Sequence, residues 1–282
     1  MIFLCVVFSS SCSFLFSLSL SLLDDLSCIT PRTFSLQVGF VGMLNGLRVG
    51  SDPSQSWSVS QDARHHGGRI PFNLLEALKT GALTPEQALR YSLERNATSD
   101  AANGNAKKDK SNGDEEDASG FDGAVSFLSN VSIVDDVYYV MAGGGPANVE
   151  GQTPPGAVIT RQRNGARDVW RVGTDAATTP HGPELPKSAN WWLTETNYDH
   201  WESPPAADDR RDPANALMQA LGSANATDNE ALFGVMSTWP VFNPHTTFTT
   251  MIDFATGAYN STIWCVEERS ENKQTKSIDA AL

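Results

Sequence analysis

The chain predicts a layered α+β domain. Runs with strand-like patterning and runs with helix-like patterning are segregated along the sequence rather than alternating, which argues against a doubly wound parallel sheet. The 282 residues are 40% hydrophobic, enough for an ordinary core in one large domain or two small ones. Glycine and proline breaks bound the apolar runs, and no internal repeat interrupts them.

Residues 34–49 read as a strand pair broken at Gly39, Gly42 and Gly46, and a polar stretch follows as far as Gly68. Residues 71–79 read as a short helix closed by Gly81. Thr84, Pro85 and Glu86 then open a second helix running toward Arg95: an N-cap hydroxyl, a proline at the first helical position and an acid in the first turn. Ala88, Leu89 and Leu93 share its apolar face. Residues 97–119 are poor in apolar side chains and cannot bury enough surface to offset their ordering entropy, so they read as a disordered insertion. A helix over 121–128 follows. Strands are expected over 134–141, 156–163, 168–172 and 190–197, helices over 212–221 and 227–236, and a hairpin over 245–254 and 259–266 turning at Thr256-Gly257. Residues 267–282 form a polar tail.

The formal net charge is −13, which disfavours nucleic-acid binding through the bulk field. Of the four cysteines, Cys5, Cys12 and Cys28 lie in or near the apolar leader and Cys265 lies far away. That spacing gives neither a disulfide framework nor a zinc site. His65 and His66 are adjacent and would point to opposite faces of a strand; His181, His200 and His245 show no ligand spacing. Gly143-Gly144-Gly145 lacks the lysine and hydroxyl of a phosphate loop. Residues 1–33 form an apolar leader without a basic n-region, readable as a signal-like segment, a membrane anchor or a gene-model artefact. Four sequons, at Asn96, Asn130, Asn225 and Asn260, lean toward the secretory or lysosomal route.

The most informative run is Thr194-Glu195-Thr196-Asn197-Tyr198-Asp199-His200-Trp201, followed by Asp208-Asp209-Arg210-Arg211. Together with Val38-Gly39-Phe40-Val41-Gly42, Asp136-Val137-Tyr138-Tyr139, Val158-Ile159-Thr160-Arg161, Asp168-Val169-Trp170 and Glu230-Ala231-Leu232-Phe233, it resembles the family of N-acylethanolamine-hydrolysing acid amidases and acid ceramidases. The resemblance spans residues 38–266 apart from the insertion, within an amidase-like domain of 34–266. Tyr138-Tyr139 and His200-Trp201 look more like the amidase branch.

The resemblance implies an N-terminal-nucleophile hydrolase with an αββα sandwich, here incomplete at its N-terminal strands. It implies self-cleavage that exposes a cysteine whose thiol attacks an amide carbonyl and whose α-amine is the base. Fatty-acid amide lipids would be the substrates, with contact to a lipid interface or peripheral membrane, and no metal or organic cofactor. Asn197 would direct a side-chain N–H at the developing oxyanion, a contribution of about 3–4 kcal/mol. Arg210 would hold a carboxylate or the surroundings of the nucleophilic cysteine in place with its planar fork. Bland alternatives stand beside these roles: a turn asparagine, and a solvated or mutually paired surface Asp-Asp-Arg-Arg cluster in which Arg211 is a surface or structural charge. Trp191, Trp192 and Trp201 read as core.

The family pattern of a cysteine followed by Thr-Ser and then Arg-Asn-x-Asp is absent from this sequence. Arg95-Asn96 and Arg163-Asn164 lead elsewhere, and Cys28-Ile29-Thr30 lies too close to Gly39 for two strands to intervene, so Cys28 is not expected to be the nucleophile. The expectation is a fatty-acid amide hydrolase whose N-terminal portion or subunit is missing here and which is inactive as written. The alternatives are a non-catalytic lipid-binding or interaction variant, and a secreted glycoprotein sharing only the fold.

Overall fold

The computed structural model describes residues 34–40, 43–50, 55–64, 75, 77–94, 120–143, 155–173, 191–226, 228–254 and 256–264. Six strands form one antiparallel meander in chain order: β1 (Phe34–Phe40), β2 (Met43–Val49), β3 (Trp57–Ala63), β4 (Val137–Gly143), β5 (Gly156–Gln162) and β6 (Gly165–Arg171). Between β3 and β4 the chain makes α1 (Pro85–Glu94) and α2 (Gly120–Asn130). After β6 come α3 (Arg211–Leu221), α4 (Asn229–Met236) and a separate hairpin of β7 (Phe248–Asp253) and β8 (Ala258–Ile263). The content is α+β. Among the described residues no strand pairs with the outer edge of β1.

Strand alternation divides the large sheet into two faces. Trp57 and Val59 of β3, Val137, Tyr139 and Met141 of β4, and Ala157 and Ile159 of β5 face α1 and α2. There they pack on Ala88, Leu89, Leu93, Phe121, Ala124, Val125 and Leu128. Helix α1 starts as its sequence demands. Thr84 Oγ1 accepts from the Gln87 amide at 3.1 Å, while Gln87 Oε1 accepts from the Thr84 amide at 2.9 Å. This reciprocal arrangement serves two donors that a helix start leaves orphaned.

Two arginines close the other ends of these helices. Arg48 donates to the Leu93 carbonyl at 2.5 Å and lies over the Trp57 ring. Arg161 donates from Nη1 to the Ser129 carbonyl and from Nη2 to the Val131 carbonyl. Both serve carbonyls that the helix cannot satisfy internally.

The opposite face of the sheet carries Ser58, Ser60 and Asp62 on β3, beside Ala142, Val140 and Tyr138 on β4. The second half of the chain covers it. Leu193 and Phe248 pack on Tyr138, Val140, Val158 and Trp170, and Phe254 packs on Leu47 and Ala142. Helices α3 and α4 in turn pack against Trp192 and Met251.

Three expectations need correction. The polar stretch after residue 49 contains strand β3, whose Ser and Asp side chains are polar because they face a polar interior. Residues 190–197 are not a strand: those described run as irregular chain, although every residue from 192 to 200 is buried. Gly46 does not break the strand pair. It sits inside β2, where a Cβ would come within 2.3 Å of Leu93 Cδ1, so its bareness lets α1 approach. The remaining elements lie within a few residues of their expected places. The expected leader, the insertion, the polar tail and most of the helix over 71–79 lie outside the described residues.

Candidate active site

The irregular segment 192–200 is the centre of the site, and α3 pins it. Asn215 Oδ1 accepts from Trp192 Nε1 at 3.1 Å and from Thr194 Oγ1 at 2.6 Å. The Arg211 amide donates to the Tyr198 hydroxyl at 3.3 Å. Arg211 Nη1 donates to the Asp199 carbonyl at 3.1 Å, Nη2 donates to the Glu202 carbonyl, and the guanidinium lies over the Tyr198 ring. These bonds hold three side chains of the segment and one of its carbonyls, that of Asp199, against the start of α3. Arg211 is buried, so its structural reading holds and its surface reading does not.

Asn197 and Arg210, thirteen positions apart, are in direct contact. Arg210 Nη2 donates to Asn197 Oδ1 at 2.8 Å. Arg210 is only 1% exposed, and Asp208 aligns its fork by accepting from Nε and Nη2, each at 2.9 Å. Because a guanidinium only donates, the atom facing it must be the amide oxygen. The Asn197 Nδ2 group is thereby turned toward the end of β3. There it donates to Asp62 Oδ1 at 2.9 Å and to the Ala63 carbonyl at 2.9 Å. Both amide hydrogens are engaged. Arg210 Nη1 and Asp62 Oδ2 are buried without a hydrogen-bond partner among the described residues.

Asp62 is fully buried. Burial pushes its carboxyl up to about 7, against the opposing pull of the Arg210 charge and of hydrogen bonds from Ala63 and Asn197. Glu195, also buried, is pushed well above the usual carboxylate range, by burial first and by the Asp62 charge second. Asp199 behaves oppositely. Burial would raise it, but Arg64 and Tyr138 outweigh that and hold it below its ordinary value. Arg64 grips it with Nε at 2.7 Å and Nη2 at 2.6 Å, and the Tyr138 hydroxyl donates at 2.6 Å. The site therefore combines one firmly ionised carboxylate with two that burial disposes to carry protons.

Sequence reasoning missed Asp62 and Arg64 because it missed β3. The signal was the period-two run Trp57-Ser58-Val59-Ser60-Gln61-Asp62, with large apolar groups on one face only. His200 Nε2 donates to Asp168 Oδ2 at 2.9 Å and the ring stacks on Trp170 at 4.4 Å between centroids, so it is committed to the wall of the site. Trp192 is core as expected. All four cysteines, Cys28 included, lie outside the described residues, as do His65, His66, His181 and the Asn96 sequon. Asn130, Asn225 and Asn260 are exposed.

No protein-family model matches the chain. Over 216 residues, 77% of its length, the chain is 37% identical to the N-acylethanolamine-hydrolyzing acid amidase of Mus musculus, covering 47% of that protein. The Rattus norvegicus amidase is also 37% identical, over 226 residues, 80% of this chain and 48% of that one. Acid ceramidase of Homo sapiens is 31% identical over 146 residues, 52% of this chain and 32% of that one. The chain thus spans about half the length of the amidases it matches. It is a homologue of the N-acylethanolamine-hydrolyzing acid amidases and of the acid ceramidases.

Proposed function

We propose that this chain carries the amide- and guanidinium-bearing half of a site that hydrolyses fatty-acid amides, such as N-acylethanolamines or ceramide. The carrying observation is the hydrogen-bonded chain Asp208–Arg210–Asn197–Asp62, buried from Arg210 inward, which leaves Arg210 Nη1 as a desolvated double donor with no partner among the described residues. A cationic donor fixed in a water-poor interior stabilises the oxyanion of a tetrahedral intermediate without reorganising. Asn197, in this reading, both orients Arg210 and contributes a donor once its amide is released from β3. A cysteine thiol from the other half of the site would attack the carbonyl carbon. The order of the layers, α1–α2, large sheet, β7–β8 hairpin and α3–α4, agrees with an αββα sandwich of the N-terminal-nucleophile type.

One observation favours a second reading, a non-catalytic lipid-binding variant: both Asn197 amide hydrogens are already spent. Two measurements on the full-length protein, with both halves of the site present, separate them. Turnover of a fluorogenic fatty-acid amide at acid pH that collapses in Asn197→Ala and Arg210→Met supports the hydrolase. Binding of a non-hydrolysable fatty-acid amide analogue without turnover, weakened by Arg210→Met, supports the second reading. Turnover indifferent to both substitutions, or neither turnover nor binding, overturns the assignment of this site.

A further inference from the structure

Asp62 has no role in the chemistry just described, yet it is the residue that fixes where the Asn197 amide points. Arg210 Nη2 locks the amide oxygen, so the Nδ2 group cannot turn over, and its two hydrogens reach two oxygens at the end of β3. One of those oxygens, the Ala63 carbonyl, cannot change charge. The other, Asp62 Oδ1, can. We infer that Asp62 is a positioning residue that gates the Asn197 amide: its ionised carboxylate keeps one amide hydrogen on β3, and protonation releases that hydrogen to a ligand. The inference rests on the reading of Asn197 as a donor to the reacting carbonyl.

The geometry says where the proton goes. Asp62 Oδ1 already accepts from the Ala63 amide at 2.8 Å and from Asn197, whereas Oδ2 is buried with no partner among the described residues. A proton on Oδ2 turns Oδ1 into a neutral carbonyl oxygen. Hydrogen bonds to an ionised acceptor are roughly twice as strong as neutral ones, so the hold on Asn197 weakens by about half. The groups acting on Asp62 are identifiable element by element. Arg210, at the start of α3, favours the ionised form, as do the donors Ala63 and Asn197. Glu195, on the 192–200 segment, is coupled to Asp62 through its charge and is itself pushed upward. Tyr138 stands opposite Asp62 on β4, but its hydroxyl is committed to Asp199, whose charge Arg64 neutralises. Arg211 acts on Glu195. Burial outweighs the favourable partners and places the change near neutrality, so the gate opens on acidification from there.

The test follows the Asn197 side-chain amide directly and needs no turnover. The full chain, labelled with ¹⁵N-asparagine, is titrated from about pH 5 to about pH 9, a range centred on the expected transition. The Asn197 Nδ2 resonances are assigned by their loss in Asn197→Ser. The expected result is a single titration of both Asn197 Nδ2 hydrogens with a midpoint near 7, absent in Asp62→Asn and retained in Glu195→Gln. Asn197 resonances that stay flat in the wild-type chain overturn the inference. So does a titration that disappears in Glu195→Gln, which would assign the proton to Glu195. If Asp62→Asn does not fold, the wild-type and Glu195→Gln titrations decide by themselves. A chain that shows the titration but hydrolyses and binds no fatty-acid amide leaves the gate standing and removes the function proposed for it.

Discussion

Replacing Asp62 by asparagine should make the protein more stable at neutral pH, and less so as the solution becomes acidic. The substitution keeps the shape and the acceptor that Asn197 and the Ala63 amide use, and it removes a charge that burial opposes. Arg210 is not orphaned, because Asp208 still pairs with it through two bonds. Asp62 titrates at about 7 in the folded protein, against about 3.9 in an unfolded chain. Between those values the native state holds a proton that the unfolded state has released, so this group makes stability fall as pH rises through that window. The penalty reaches roughly 4 kcal/mol at about pH 7.5 and only roughly 1–2 kcal/mol at about pH 5, a difference of roughly 2–3 kcal/mol.

The assay is urea unfolding followed by tryptophan fluorescence at those two pH values, for wild type and Asp62→Asn; seven tryptophans supply the signal. The informative quantity is the difference between the two substitution effects, because any fixed cost of the asparagine cancels. Glu195 tempers the outcome. Losing the neighbouring charge lowers its own titration, so some slope persists in the variant. A double difference below about 0.5 kcal/mol, or one of opposite sign, would refute the claim that burial dominates at Asp62.

Tyr138→Phe removes a 2.6 Å hydrogen bond to a buried, ionised Asp199 and should cost about 2 kcal/mol near neutrality. Asp199 is held below its ordinary value, so the stability it confers is present above about pH 4 and is lost as pH falls through its folded value; urea midpoints should show the Tyr138→Phe penalty shrinking in acid. Thr84→Ala breaks the reciprocal cap of α1 and should cost about 1 kcal/mol, read as faster amide exchange in the first turn of that helix.

What the sequence disclosed follows from what local pattern can carry. The Thr84-Pro85-Glu86 start of α1 was legible because capping is chemistry within four residues. Helix α2, strands β4 and β5 and the closing hairpin were legible because their apolar periodicity matches their burial. Strand β3 was not, since one of its faces looks into a polar interior and Ser58, Ser60 and Asp62 imitate a loop. Segment 192–200 failed in the other direction: its apolar and threonine-rich composition signals burial, and burial was read as a strand. The hydrogen bonds from α3 that pin it are tertiary and leave no local trace. Asn197 and Arg210 were nominated by resemblance. That their side chains touch, and that β3 supplies the third member, are facts of folding that thirteen residues of spacing cannot encode.

The buried arginines argue that this cluster serves something other than stability. Arg48, Arg161 and Arg211 give their hydrogens to main-chain carbonyls that would otherwise be orphaned, so each has a structural account. Arg161 has a partner on each of its Nη groups and none on Nε among the described residues. Arg210 differs in kind. Its Nε and Nη2 are organised by Asp208 and Asn197, and the whole Nη1 group, two hydrogens on a charged fork, is desolvated and has no partner among the described residues. An unsatisfied buried donor costs about 1–3 kcal/mol, and the uncompensated oxygen of Asp62 adds to that within the same hydrogen-bonded chain. A core assembled only to be stable would place an apolar side chain at both positions. Holding a donor and an ionisable acceptor on either side of one asparagine amide, away from water, is the arrangement a site needs if a developing oxyanion is to become the missing partner.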